Sequence, residues 1–124
     1  MTDTASFTET TYTPDRLCLG GPYDSRAITL LSGQNCARGA VLGKITASGK
    51  YKLSAAAAGD GSEVPDVILA EACDASVADK TALVYINGRF NDASITLGAG
   101  HTVASIRDGL QDRRGILLIN DQGA

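Results

Sequence analysis

The sequence predicts a mostly β domain with one helix near its C-terminus and a flexible N-terminal arm. Three observations carry this reading. Short runs rich in Val, Ile, Thr and Leu recur between clusters of Gly, Asn and Asp, the pattern of strands bounded by turns. Helical period occurs in one segment alone, where Val103, Ile106 and Leu110 recur at spacings of three and four. The stretch from Thr2 to Thr13 is dominated by Thr, Ser, Asp and Glu, with Phe7 and Tyr12 as its only large side chains. At 124 residues, 44% hydrophobic and 20% charged, the chain is the size of one domain and can bury a core. The expected division is an arm over residues 1–25, disordered when free, and a single β-rich body over residues 26–124.

Within the body, Ala27-Ile28-Thr29-Leu30-Leu31 and Gly39 to Thr46 read as two neighbouring strands. Ile45-Thr46, Ala47-Ser48-Gly49 and Lys50 to Leu53 read as a hairpin, because Gly49 can take the positive φ of a short loop. Ala55 to Ser62 reads as a surface loop: its alanines run at once into Gly59-Asp60-Gly61, leaving too little length to nucleate a helix. Asp66 to Glu71, Ala82 to Ile86 and Ser94 to Leu97 read as strands. Thr102 can cap the helix, Arg113 and Arg114 suit its C-terminal dipole, and Gly115 can end it in the left-handed conformation. Ile116 to Ile119 then reads as a strand covered on both faces, since no polar residue alternates within it.

Charge and composition exclude several function classes. A net charge of -3 supplies no basic field for releasing counterions from nucleic acid. The longest purely apolar runs fall far short of the roughly 18 residues a membrane span needs. The first residues carry neither a basic stretch nor an apolar one of the kind that marks secretion, so synthesis in the cytoplasm is expected. Cys18, Cys36 and Cys73 are widely spaced beside a single histidine. They form no recognisable zinc site and read as reduced thiols serving as small hydrophobes.

The candidate chemistry is thin. Gly59-Asp60-Gly61 lacks the Lys-Ser/Thr of a phosphate loop, and Gly98-Ala99-Gly100-His101 lacks the surroundings of a dinucleotide site. Asp60, Glu63, Asp66, Glu71 and Asp74 crowd one third of the chain but miss calcium-loop spacing. His101 has no nucleophile at a recognisable motif. Arg107, Arg113 and Arg114 are nearly neutralised by Asp108 and Asp112, which reads as a solvated helix face. No catalytic residue, metal site or cofactor is expected.

The order of segments resembles the lambda-type phage head decoration proteins. The resemblance rests on Tyr12-Thr13-Pro14-Asp15-Arg16-Leu17, Leu31-Ser32-Gly33-Gln34-Asn35 and Arg38 to Thr46, followed by Ala57 to Ser62 leading to Ile68-Leu69-Ala70-Glu71. Val84 to Asn91 and Arg107 to Leu117 complete it, so that it covers the chain from Tyr12 to Leu118. Ala72-Cys73 and Leu17-Cys18-Leu19 depart from the family pattern in ways that touch packing. The resemblance implies a small barrel-like β fold without enzymatic activity, forming a homotrimer on the outside of the capsid at three-fold and quasi-three-fold positions. It implies the major capsid protein as partner, no direct contact with nucleic acid or membrane, and a role in holding the expanded shell against DNA pressure.

Under that resemblance the arm acquires a function. From its residues alone it reads more readily as a floppy terminus, the usual fate of chain ends. Ordering each residue costs roughly 1 to 2 kcal/mol, and burying Phe7 and Tyr12 returns only about 1.5 to 3 kcal/mol apiece, so the arm needs a partner's strand edge. Phe7, Thr8, Thr10, Thr11, Tyr12 and Thr13 form the candidate capsid-binding segment, ended by Pro14, which has no N–H to pair. Two other classes remain open to the residues: a small β-barrel module binding sugar or peptide, suited by Gly39 to Leu53, and a small hydrolase using His101.

Overall fold

The structure, a computed structural model, describes residues 17–20 and 23–119. Its strands are β1 (Cys18–Gly20), β2 (Ser25–Leu30), β3 (Gln34–Cys36), β4 (Val41–Lys44), β5 (Tyr51–Leu53), β6 (Pro65–Leu69), β7 (Cys73–Ala75), β8 (Lys80–Tyr85) and β9 (Gly88–Asn91). Helix α1 (Val103–Arg114) and β10 (Ile116–Ile119) follow. The mostly β reading with one C-terminal helix holds.

Five strands close a barrel in the order β2-β5-β4-β6-β8. Its inside is filled by Leu30, Leu42, Tyr51, Val67, Leu69 and Val84 with smaller neighbours. Side chains of successive strand residues point to opposite faces, so an exposed outer face produces alternation. β2 and β8 alternate in that way, with Ile28, Leu30, Ala82 and Val84 turned inward. Alternation is lost at Val41-Leu42 in β4 and at Val67-Ile68-Leu69 in β6, because the outer residues Val41 and Ile68 are buried too, beneath α1 and a second sheet.

That sheet has the order β10-β9-β1. β10 runs parallel to β9, and β1 runs antiparallel to its other edge with a bulge between Arg89 and Phe90. Leu17, Phe90, Ile106, Leu110, Ile116 and Leu118 join Val41 and Ile68 in a second core between sheet, helix and barrel. Helix α1 begins with a reciprocal cap in which Thr102 Oγ1 accepts from the Ser105 N–H at 3.1 Å while Ser105 Oγ accepts from the Thr102 N–H at 2.9 Å. Gly115, at φ 68°, ends the helix in the left-handed region and turns the chain into β10. A two-stranded ribbon, β3 against β7, forms a separate sheet packed against the barrel core, with Gln34 opposite Ala75 and Cys36 opposite Cys73.

The hairpin around Gly49 forms β4 and β5, with Lys44 opposite Tyr51 and Leu42 opposite Leu53. Four expectations are corrected. The strands around Ala27–Leu31 and Gly39–Thr46 are not neighbours, because β5 folds back between them. Ser94 to Leu97 forms no strand: Thr96 makes one isolated bridge to Ala40, while Ile95 and Leu97 pack against the second core. β10 is covered fully on one face only, since Ile119 is exposed and Leu117 half-buried. The body begins earlier than residue 26: Leu17 is 1% exposed and β1 is hydrogen-bonded into the second sheet. The first and last described residues flank one position, with the Asn91 N–H donating to Leu17 O at 2.8 Å and Ile119 standing opposite Asn91 in the parallel ladder.

Candidate functional site

The candidate capsid-binding residues Phe7, Thr8, Thr10, Thr11, Tyr12, Thr13 and Pro14 lie outside the described residues. The structure describes the place from which they extend. There, Leu17 is sunk in the second core, where a side chain of its size contributes about 1.5 to 3 kcal/mol by burial. Beside it Tyr23, Tyr85 and Phe90 form a triangle of tilted rings with centroids 5.4 to 5.5 Å apart. Gly88, at φ 121°, is required here, since a Cβ would stand 2.3 Å from Tyr23 Cδ1.

Arg38 clasps this corner. Its Nη1 donates to Ala70 O at 2.7 Å and to the Tyr85 hydroxyl at 2.9 Å, and its Nη2 lies 3.4 Å from Cys18 Sγ. Its guanidinium carbon is 5.6 Å from the Tyr85 ring centre. One side chain thus ties the end of β6, the end of β8 and β1 together. Burial pushes the Tyr85 phenol up, against the Arg38 hydrogen bond that lowers it. Tyr23 is likewise pushed up by burial while its hydroxyl accepts from the Gly20 N–H and donates to Arg89 O. The sequence reading used Arg38 only as part of a matched segment, because its partners stand 20, 32 and 47 residues away.

The side chains weighed for chemistry hold loops and strand ends instead. His101 Nε2 lies 3.0 Å from Glu63 O and 3.1 Å from Ser54 Oγ. A carbonyl oxygen only accepts, so the hydrogen sits on Nε2 and this nitrogen cannot take a proton from Ser54. The pair is therefore not wired as nucleophile and base. Asp60 Oδ1 accepts from the Ser62 N–H at 3.0 Å and the Ser62 hydroxyl, while Oδ2 pairs with Lys52 at 3.1 Å. Asp74 binds Ser76 in the same manner, Glu63 accepts from the Gly61 N–H, and Asp66 belongs to Arg114. Among the described residues no group of three or more His, Cys, Asp or Glu side chains could hold a metal ion.

The arginines of α1 are not merely a solvated face. Arg107 donates to Leu118 O and to Asp92 at 2.9 Å, Arg113 to Pro65 O, and Arg114 to both oxygens of Asp66. They bind the helix to β10 and β6. A shallow groove of about 260 Å³ beside Lys44, Val64 and Arg113 is smaller than the roughly 300 to 1,000 Å³ of ordinary ligand sites. The barrel itself is packed through its centre.

The described residues form a packed barrel cross-tied by its polar side chains. The family model of bacteriophage lambda head decoration protein D matches residues 6–116, and the chain belongs to that family. No curated protein matches the chain. Membership gives it a decoration role on a phage head, as a virion component associated with the capsid, within a family of structural proteins rather than enzymes.

Proposed function

We propose that the chain binds the outside of the expanded head as homotrimers at three-fold and quasi-three-fold positions and stabilises the shell against internal DNA pressure. The observation that carries this reading is the family match, which begins at residue 6 and so takes in the arm as well as the body. In this reading the chain is made in the host cytoplasm and assembles on the finished shell. Residues Phe7 to Thr13 add a strand to an exposed edge of the major capsid protein, and Pro14 ends the pairing. Leu17, anchored in the second core, transmits load from that strand to the body. Three arms on one trimer combine weak contacts through effective concentration.

The test is to mix purified protein with undecorated expanded heads and sediment them. Co-sedimentation, saturating at three copies for each three-fold position, is the expected result, together with heads that resist heating better than bare ones. Failure to co-sediment would overturn the capsid role, and dimers on the shell would overturn the trimer.

A further inference from the structure

The ribbon of β3 and β7 sets Cys36 directly opposite Cys73. Opposed residues of an antiparallel pair have Cα atoms about 4.5 to 5.5 Å apart and project their side chains from one face. Disulfides span Cα separations of roughly 4.4 to 6.8 Å, so the backbone already has suitable spacing. Cys36 is a buried member of the barrel core, and Cys73 packs half-buried against the same cluster. Neither thiol has a strong competing partner. Cys36 Sγ lies 3.9 Å from Gln34 Oε1, and Cys73 Sγ lies 3.9 Å from Thr81 O. Cys18 is placed elsewhere, on β1 beside Arg38.

We propose that Cys36 and Cys73 form a thiol pair that takes a disulfide across the β3–β7 ribbon by exchange with a small disulfide of the glutathione class. The partly exposed Cys73 reacts first. Its thiolate attacks one sulfur of oxidised glutathione, the glutathione S–S bond breaks, and one glutathione thiolate leaves. Cys36, after giving its proton to solvent, attacks Cys73 Sγ, and the mixed disulfide breaks to release the second thiolate. The two leaving thiolates take up the two protons. Two protein thiols are thus oxidised to one disulfide while one glutathione disulfide is reduced to two thiols. The bond closes a loop that contains β4, β5 and β6 and so constrains the unfolded chain.

The test is incubation of the full chain with oxidised glutathione, followed by peptide mapping without reduction and thiol titration in denaturant. Expected are a mass lower by two hydrogens, a Cys36–Cys73 linked peptide, and titratable thiols reduced from three to one. The thermal midpoint rises and falls back when dithiothreitol is added. Cys18→Ser keeps the link, whereas Cys73→Ser abolishes it; because Cys73 is partly exposed, this variant also serves if Cys36→Ser does not fold. Three thiols still titrating, a glutathione adduct that persists on Cys73 beside a free Cys36, or links only between copies would each overturn the proposal.

Discussion

Arg114 grips Asp66 through two parallel hydrogen bonds, Nε to Oδ1 at 3.0 Å and Nη2 to Oδ2 at 3.1 Å, and so fastens the last turn of α1 to the start of β6. The hydrogen bonds that Arg114 donates to the carboxylate push its pKa up further. Both side chains remain partly solvated, which discounts the pair below the value of a buried one. Arg114→Ala should cost about 1 to 2 kcal/mol. Arg114→Lys should recover only part of it, because an ammonium cannot reproduce the planar fork. Urea unfolding of the three proteins checks this, and equal midpoints would show that the clamp contributes nothing.

Acid should weaken the fold through its loop carboxylates. The Ser62 hydroxyl and N–H, helped by Lys52, hold Asp60 well below the usual carboxylate range, and Ser76 does the same for Asp74. The Lys50 ammonium and the Ser32 N–H lower Asp79. A carboxylate depressed in the folded state adds stability above its unfolded pKa, about 3.9, and loses it as pH falls through the folded value. The loss therefore begins near pH 4 and continues below it. Asp60→Asn should start less stable at neutral pH and lose less between pH 4 and pH 2 than the parent, as read by thermal midpoints across that range.

Two glycines should respond in opposite directions. A Cβ on Gly43 would stand 2.1 Å from Ser62 O, because the loop after β5 lies across β4 at that point. Gly43→Ala therefore forces the backbone apart and should cost about 1 to 3 kcal/mol. Gly59 has open space around its would-be Cβ and no positive φ, so Gly59→Ala should be neutral or stabilise by up to about 1 kcal/mol through the unfolded state. Chemical denaturation of both variants decides the matter.

Binding to heads should separate the arm from the body. Deleting the residues before Pro14, or combining Phe7→Ala with Tyr12→Ala, should leave the free protein folded in its usual oligomeric state while capsid affinity falls, steeply for the deletion and partly for the double variant. His101→Ala, Glu71→Gln and Cys36→Ser should bind heads nearly as the parent does wherever they fold. Tight decoration by the truncated chain would reduce the arm to a bystander.

Local signals carried much of the fold. Thr102 and Gly115 bracket α1 because caps are written in a few adjacent residues, and Gly49 marks its hairpin for the same reason. β1, β3 and β7 have three residues each, too few for a period, and exist only through partners far along the chain. Ser94 to Leu97 misled in the opposite sense: Ile95 and Leu97 pack singly, half-buried, against the second core without a ladder. Arg38 was invisible as a clasp because nothing near it in sequence names Ala70 or Tyr85. The arm residues stood out by composition, and the use proposed for them depends on a surface that this chain does not contain.

The place of β9 between the first and last strands of the body also sets an order of assembly during synthesis. All five barrel strands lie within residues 25–85, whereas the second sheet needs both Cys18 and Ile119. A chain leaving the ribosome N-terminus first can close its barrel while Val41 and Ile68 still lack Ile106, Leu110, Ile116 and Leu118 to cover them. Chains halted before Val103 would carry that apolar face into solvent and self-associate, which light scattering of a chain ending at Leu97 would register. Synthesis of α1 and β10, rather than barrel closure, is the step that makes the molecule safe to accumulate.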